Sequence, residues 1–476
     1  MIEVRTLSED TARLSDEEVA ELQMACHGPM LSPADEDYDE ARVVQNMHFD
    51  GRPGLIIQCS GFADVIDAVN LAREHELLVA VRGGGHSVAG HCSTDGGLMI
   101  DLSRMRGVWV DEDRRVVRVQ GGATWGDVDR ETQAVGLAVP GGIVSTTGVA
   151  GLTLGGGIGW LHRKWGLTCD SLRAVQIVTA DGKLVRASAQ ENEDLFWGVR
   201  GGGGNFGVVV DFEFDAYPLG PIVMAAATFY PVDGAVDTFR NWRDWTSTIP
   251  DEVTSRVVFW SMPEDPNLPE PVHNQEVMIV GAVYAGGADE GEKVLQPARD
   301  LGEPLADIGD KMPFRFFQAA FDPFFPKAGL GSYWKSIYLS DLSDDALDLI
   351  ADRGLNRVND LTLVHVPTMG GAATRVDAAD TAFGDRSAAY MLSVDGNWTD
   401  AGESDMVIDW VRKTVSEAEG LDAASGAYLN FTGDEPTNTN VVQAAFGQNV
   451  ERLTALKTKY DPNNLFRLNN NIAPGP

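Results

Sequence analysis

Two stretches decide how this chain reads: Arg82-Gly83-Gly84-Gly85-His86-Ser87, and the tract LAVPGGIVSTTGVAGLTLGGGIGWL at 137–161. The first ends a buried strand-like run (77–81). The second carries Pro140, Gly141, Gly142, Ser145, Thr147, Gly148, Gly151, Leu152, Gly155, Gly156, Gly157 and Gly159 in succession, with little side-chain bulk. Glycine runs of this kind mark backbone that something else approaches closely. A Rossmann site requires G-x-G-x-x-G between a strand and its helix. The nearest candidate, Gly157-Ile158-Gly159-Trp160-Leu161-His162, lacks the final glycine and follows a loop. A phosphate loop requires Gly-Lys-Ser/Thr at its end, and none of these runs supplies it. Two glycine loops flanking a pyrophosphate remain, their backbone N–H groups doing what a helix N-terminus does elsewhere.

Neutral donors suit the rest of the chain. Its 476 residues hold 71 acidic against 37 basic side chains, a formal charge of -34. Such a surface repels nucleic acid and anionic membranes, which leaves a small molecule as the expected partner. Dense carboxylates also suit a salt-rich cytoplasm. The four cysteines, Cys26, Cys59, Cys92 and Cys169, are scattered, with no Cys-x-x-Cys pair. That pattern supports neither a disulfide framework nor a metal site. No segment approaches about twenty consecutive apolar residues. The expected location is cytoplasmic, and the oligomeric state is left open.

The length implies two domains. The first thirty residues read as helical, with a capped start at Ser15. A helix follows at 63–74 with Val65, Ala68, Val69 and Ala72 on one face, another over 124–135, and a hairpin at 174–188 turning on Asp181-Gly182. After Pro218 the glycine density falls, and long strands (222–232, 276–286) alternate with helical stretches such as 342–355. We therefore expect an α+β protein with boundaries at 1–218, 219–427 and 428–476, the last segment returning to the first domain. His162-Arg163-Lys164, the compact basic cluster near the glycines, is expected at the surface.

Five blocks, in order, carry a resemblance: VRGGGHSVAGHCSTDGGLMIDLSRM (81–105), the tract 137–172, VTADGKLVRAS (178–188), DLFWGVRGGGGNFGVVVDFEF (194–214), and YLNFTGDE with YDPNNLFRLNNNIAP (428–474). The chain resembles the berberine bridge enzyme-like FAD-linked oxidases of the vanillyl-alcohol oxidase type. The resemblance implies a PCMH-type FAD-binding domain and a substrate domain with a large antiparallel sheet backed by helices. It implies cofactor contacts from the residues named above and from Gly90, Val208, Val209, Tyr428, Asn430, Asn469 and Asn471. His86 matches the histidine the family joins to the flavin 8α-methyl. Relatives carrying a second link use a cysteine where this chain has Gly142-Ile143-Val144-Ser145, so a single covalent link through His86 is expected.

The implied chemistry moves a hydride from an alcohol, sugar or amine-type carbon to flavin N5, and O2 reoxidises the flavin to give H2O2. A base must take the accompanying proton. Tyr428 is the first candidate and Asp395 the alternative, while Lys335 is placed to lower the pKa of Tyr428 or bind substrate. His365, Tyr390 and Asn397 lie on strands near Asp395, and a register change of one residue would turn such a set to the wrong face. The aromatics Trp260, Tyr284, Phe317, Phe321, Tyr333, Trp334 and Trp398 suit either stacking on a substrate or a core. A dehydrogenase using another acceptor and a non-catalytic flavin-binding module are the rival readings.

Overall fold

The computed structural model describes residues 1–434 and 438–475, the side chains of 438–441 excepted. Its N-terminal half holds two sheets. In one, strands Leu55–Gln58, Leu98–Asp101 and Val79–Arg82 run parallel, covered by the helix Phe62–Glu74. That helix buries Val65, Ala68, Val69 and Ala72, the stripe its spacing requires. In the other sheet, Leu184–Ser188, Leu172–Thr179, Gly207–Asp215, Val116–Gln120 and Val108–Asp111 are antiparallel neighbours in that order. The expected hairpin is its edge. The helix Trp125–Gln133 starts on a Thr124–Asp127 capping box and is slightly shorter than 124–135.

The opening residues differ from expectation. Ile2–Arg5 and Thr11–Leu14 pair as a two-stranded hairpin, and the helix begins only at Asp16. Ser15 caps it as its sequence indicates, but Val4 and Leu14 gain burial in the N-terminal core that a helix would not give them. Tertiary packing outweighs local propensity there.

Residues beyond 218 form a further, larger antiparallel sheet. Its long strands lie in the order Ile222–Pro231, Glu276–Tyr284, Val253–Ser261, Leu363–Pro367, Tyr390–Trp398 and Gly331–Leu339. Helices Ala235–Thr246, Ala288–Arg299, Asp344–Leu355 and Ser404–Ala418 back it, and the largest apolar core fills the space between. Side chains alternate across each strand. Tyr390, Leu392 and Val394 point into that core, so Asp395 faces the other way, toward the N-terminal half.

The C-terminal segment returns to the first half. Leu453, Leu456 and Ile472 join a core containing Trp197 and Phe206. Lys457, fully buried, donates to Asp461 at 2.7 Å and to the carbonyls of Asn205 and Phe466 at 2.9 Å each. A buried ammonium needs this many acceptors to offset its desolvation. The clamp carries the chain back so that Asn469 and Asn470 form part of a cavity wall.

Candidate active site

One continuous cavity of about 740 Å³ runs between the N-terminal half and the exposed-strand face of the large sheet. That size lies within the usual range for a ligand site. Its N-terminal end is mostly backbone. Gly83, Gly84, Gly85, His86, Ser87, Thr147, Gly148, Gly151, Leu152, Gly155, Val208, Val209, Asn430 and Asn469 all line it. The two glycine loops touch back to back: a Cβ on Gly84 would lie 2.4 Å from the Gly148 Cα, and one on Gly148 would lie 2.5 Å from the Gly84 nitrogen. No side chain fits there, which is why both loops need glycine. The buried Asn469 Oδ1 has no partner among the described residues, and Asn469 lies in this wall. A backbone-lined, uncharged cradle with a spare acceptor fits FAD, whose pyrophosphate takes N–H donors and whose ring edge offers both donors and acceptors.

Other residues implied by the resemblance support the cradle without reaching its wall. Arg82 is held by Asp101, with bonds at 2.9 and 2.5 Å, and by the Ala41 carbonyl. Gly90 packs against Phe49, Gly156 against Phe383 and Gly157 against Thr168. Gly159 lies so close to Gly141 that a Cβ would meet its carbonyl oxygen at 2.0 Å. The Gly142 carbonyl accepts from Gln318, and Ser145 donates to Asp322, stitching the tract to the other half of the molecule. Pro140 is buried beside them, and Asn471 follows the lining residues 468–470 without joining the wall. Asn46 is a second stitch, donating to the Val88 and Ser332 carbonyls at 2.8 Å each and accepting from the Ser332 amide at 2.9 Å.

His86 lines the cavity, and burial holds its pKa down at about 4, so the imidazole is neutral at physiological pH. Cys92 also reaches the wall, but burial pushes its thiol pKa up, which opposes thiolate formation. Val144 lines the cavity in the stretch where a second link would need cysteine.

At the far end the wall is side chains. His365 Nε2 lies 3.1 Å from Asp395 Oδ2, and Ser393 donates to Asp395 Oδ1 at 2.5 Å. Both His365 and Asp395 are about 95% buried, and His365 Nδ1 has no partner among the described residues. Tyr428 completes the adjoining wall through Phe431, which lies between the two groups, 5.2 Å from the tyrosine ring and 6.2 Å from the imidazole. The Tyr428 phenol oxygen accepts from the Ile158 amide at 3.0 Å and from Asn430 at 2.9 Å. Burial nevertheless pushes its pKa up to about 12.

Sequence candidates divide by pleat. Asp395 and His365 face the cavity, whereas Tyr390 lies on the helix side, bonded to Thr246. Asn397 shares the face of Asp395 but is occupied by Ser332 and Trp334. Lys335 follows the cavity-lining Trp334, so its Cβ leaves the sheet on the helix-covered face, away from Tyr428's hydroxyl. Of the aromatics, Trp260, Phe317, Phe321 and Trp334 line the cavity; Tyr284, Tyr333 and Trp398 belong to the core.

The basic cluster is not at the surface. His162 bonds the carbonyls of Gly159 and Thr368, Arg163 those of Val253 and Met369, and Lys164 that of Ala285. It clamps the end of the glycine tract to the second half, because loop carbonyls buried at that junction require donors. Sequence reading missed Arg256, which lines the cavity from mid-strand. Its signal was a lone cation in an otherwise β-forming, largely apolar run, VTSRVVFW.

A glycine cradle joined to a side-chain-lined pocket between two halves defines a flavoprotein oxidoreductase. Family comparison gives the same class: residues 53–188 match the FAD binding domain family, and 427–473 match the family described as berberine and berberine like. An FAD-linked oxidoreductase of Bacillus subtilis strain 168, YgaK, is 33% identical over 94% of this chain and 97% of its own length. The chain belongs to the berberine-like FAD-linked oxidoreductases. The chitooligosaccharide oxidase of Gibberella zeae is 29% identical over 94% of this chain and 92% of its own. The crystal structure of 6-hydroxy-D-nicotine oxidase from Arthrobacter nicotinovorans superimposes with a TM-score of 0.85 at 25% identity, covering 95% of this chain and 99% of that one.

Proposed function

We propose that the protein is an oxidase for an alcohol, sugar or amine-type carbon, with FAD held by a single bond to His86 and with O2 as the electron acceptor. Residues 1–218 and 428–476 carry the cofactor in this reading, and 219–427 the substrate. Bound FAD supplies the hydride acceptor and, on reoxidation, H2O2. The neutral His86 imidazole has a lone pair available for the flavin 8α-methyl, and the high pKa of the Cys92 thiol leaves it a poor second anchor. The four free cysteines are buried, which suits a reducing cytoplasm.

The observation that carries the reading is the placement of His86 and the Asp395–His365 pair on one cavity. Of the two bases the sequence offers, geometry favours Asp395, acting through His365. Asp395 fixes the ring through Nε2, and the unpartnered Nδ1 is left to take a substrate O–H or N–H proton. Tyr428, held by two donors at its oxygen, positions the flavin-side wall and is the second proton acceptor to consider, since those donors would stabilise a phenolate.

The test is acid precipitation of the purified protein followed by peptide mass spectrometry. FAD mass on the His86 peptide alone, with colour released from His86→Ala, is the expected result. Flavin on a second residue refutes the single link, and a colourless protein overturns the assignment.

A further inference from the structure

Among the described residues, the buried arginines are, with one exception facing the cavity, bonded to acceptors. Arg82 rests on Asp101, Arg163 on backbone carbonyls and Arg386 on Asp170. Arg256 differs. It is 7% exposed, on the cavity face of Val253–Ser261, between the strands that carry Gly281 and His365. Its guanidinium carbon lies 4.5 Å from the centre of the Trp160 ring, a cation–π contact that leaves the N–H groups without a conventional acceptor. Nε and Nη2, both buried, have no hydrogen-bond partner among the described residues. These two nitrogens share one edge of the guanidinium, the edge that meets a carboxylate with two parallel bonds.

Among the described residues, none in the wall supplies that acceptor. Asp395 is near enough to favour the charged guanidinium but forms no ion pair with it, its oxygens being taken by His365 and Ser393. Asp265 also lines the cavity, half-buried and bonded to Asn267. Most of the surrounding wall is apolar: Ala225, Ala227, Phe229, Val258 and Ile279. On the same strand face the indole N–H of Trp260 is likewise buried and unpartnered. Burial lowers the Arg256 pKa only to about 10, so the cation persists at neutral pH. A buried cation without a counter-charge destabilises the protein, and a ligand that brings the anion removes that penalty.

We propose that the pocket recognises a carboxylate on its substrate, with Arg256 as the bidentate partner and Trp260 Nε1 as a further donor. Resting on the oxidase reading, this makes the substrate an acid that also carries the oxidisable carbon, such as a hydroxy acid or an acidic sugar. On a protein of formal charge -34, an anion gains little from long-range attraction, so selectivity must come from this short-range contact.

Binding to the flavin-loaded protein tests it without knowledge of the natural substrate. Acetate, benzoate and D-glucuronate would each be titrated against acetamide, benzamide and D-glucose, read by flavin difference absorption and tryptophan fluorescence. At least one carboxylate should bind about tenfold to a hundredfold more tightly than its neutral counterpart. Arg256→Met should erase that preference, and Arg256→Lys should restore part of it. No preference in the unaltered protein overturns the proposal, whatever the variants do. A preference that survives Arg256→Met, or a variant whose flavin spectrum shifts while carboxylate preference persists, assigns Arg256 to the ring and also overturns it. Failure of the oxidase reading shows separately, as absence of bound flavin or of peroxide with any substrate.

Discussion

The two ends of the cavity are built from opposite materials. The cofactor end is backbone and small residues, with its nearby cation, Arg82, already bonded to Asp101. The substrate end is side chains, several with atoms left unbonded: Arg256, Trp260 and His365 Nδ1. A ligand common to a whole family can be met by main-chain donors, which are fixed once the loops fold. A ligand that varies between relatives must be met by side chains, which change without disturbing the chain path. The rigid end therefore lies in glycine loops and the adaptable end on one face of a sheet.

The same difference appears in two buried carboxyl groups. Asp395 at the substrate end has His365 and Ser393 as partners. Asp129, on the helix Trp125–Gln133 of the cofactor half, is buried with Oδ2 unpartnered, and its pKa is pushed up by burial to about 8. One is partnered and lies on the cavity wall; the other is a strain that the cofactor half tolerates away from the cavity.

Substitutions at the substrate end should break the contrast most sharply. Asp395→Asn and His365→Gln are each expected to lower the turnover number about 10²–10⁴-fold, the usual worth of a positioned base, with flavin content unchanged. Stopped-flow flavin reduction measures this, and a reduction rate within a factor of about three of the unaltered protein would return the base to Tyr428. At the cofactor end Gly84→Ala should act on folding and loading together. Its Cβ meets Gly148 at 2.4 Å, so a loss of about 1–3 kcal/mol is expected. Thermal melting and the flavin-to-protein absorbance ratio would both fall; retention of both would mean the loops can part.

Asp129→Asn should have the smaller effect, in the opposite direction. The folded-state pKa lies above the unfolded one, so the folded protein holds a proton that the unfolded chain releases. That carboxyl therefore costs nothing below about pH 4, and its cost grows as pH rises toward about 8. The substitution is expected to stabilise the protein by about 1–2 kcal/mol at pH 7–8 and not at all near pH 4. Denaturant melts at the two pH values measure the difference; an equal effect at both would show that Asp129 is not protonated in the folded state.

Much of this was written in the sequence, and the reason is local. The glycine loops, the helix at Phe62–Glu74 and the hairpin at Asp181-Gly182 depend on steric demands and periodicities that neighbouring residues carry by themselves. The absence of cysteine from 142–145 is equally local. What the tertiary structure decided was facing and partnership. Only the pleat of the assembled sheet turns Asp395 and Arg256 into the cavity and Lys335 and Tyr390 away from it, since one residue of register reverses the whole set. Only the meeting of the two halves buries His162 and Arg163 and half-buries Lys164 against backbone carbonyls, where charge alone placed them in solvent. And only the burial of Arg256 over Trp160, with no acceptor bonded to Nε or Nη2 among the described residues, turns an ordinary strand residue into a candidate for ligand recognition, because the cost of an unpaired charge depends on its surroundings and not on its neighbours in the chain.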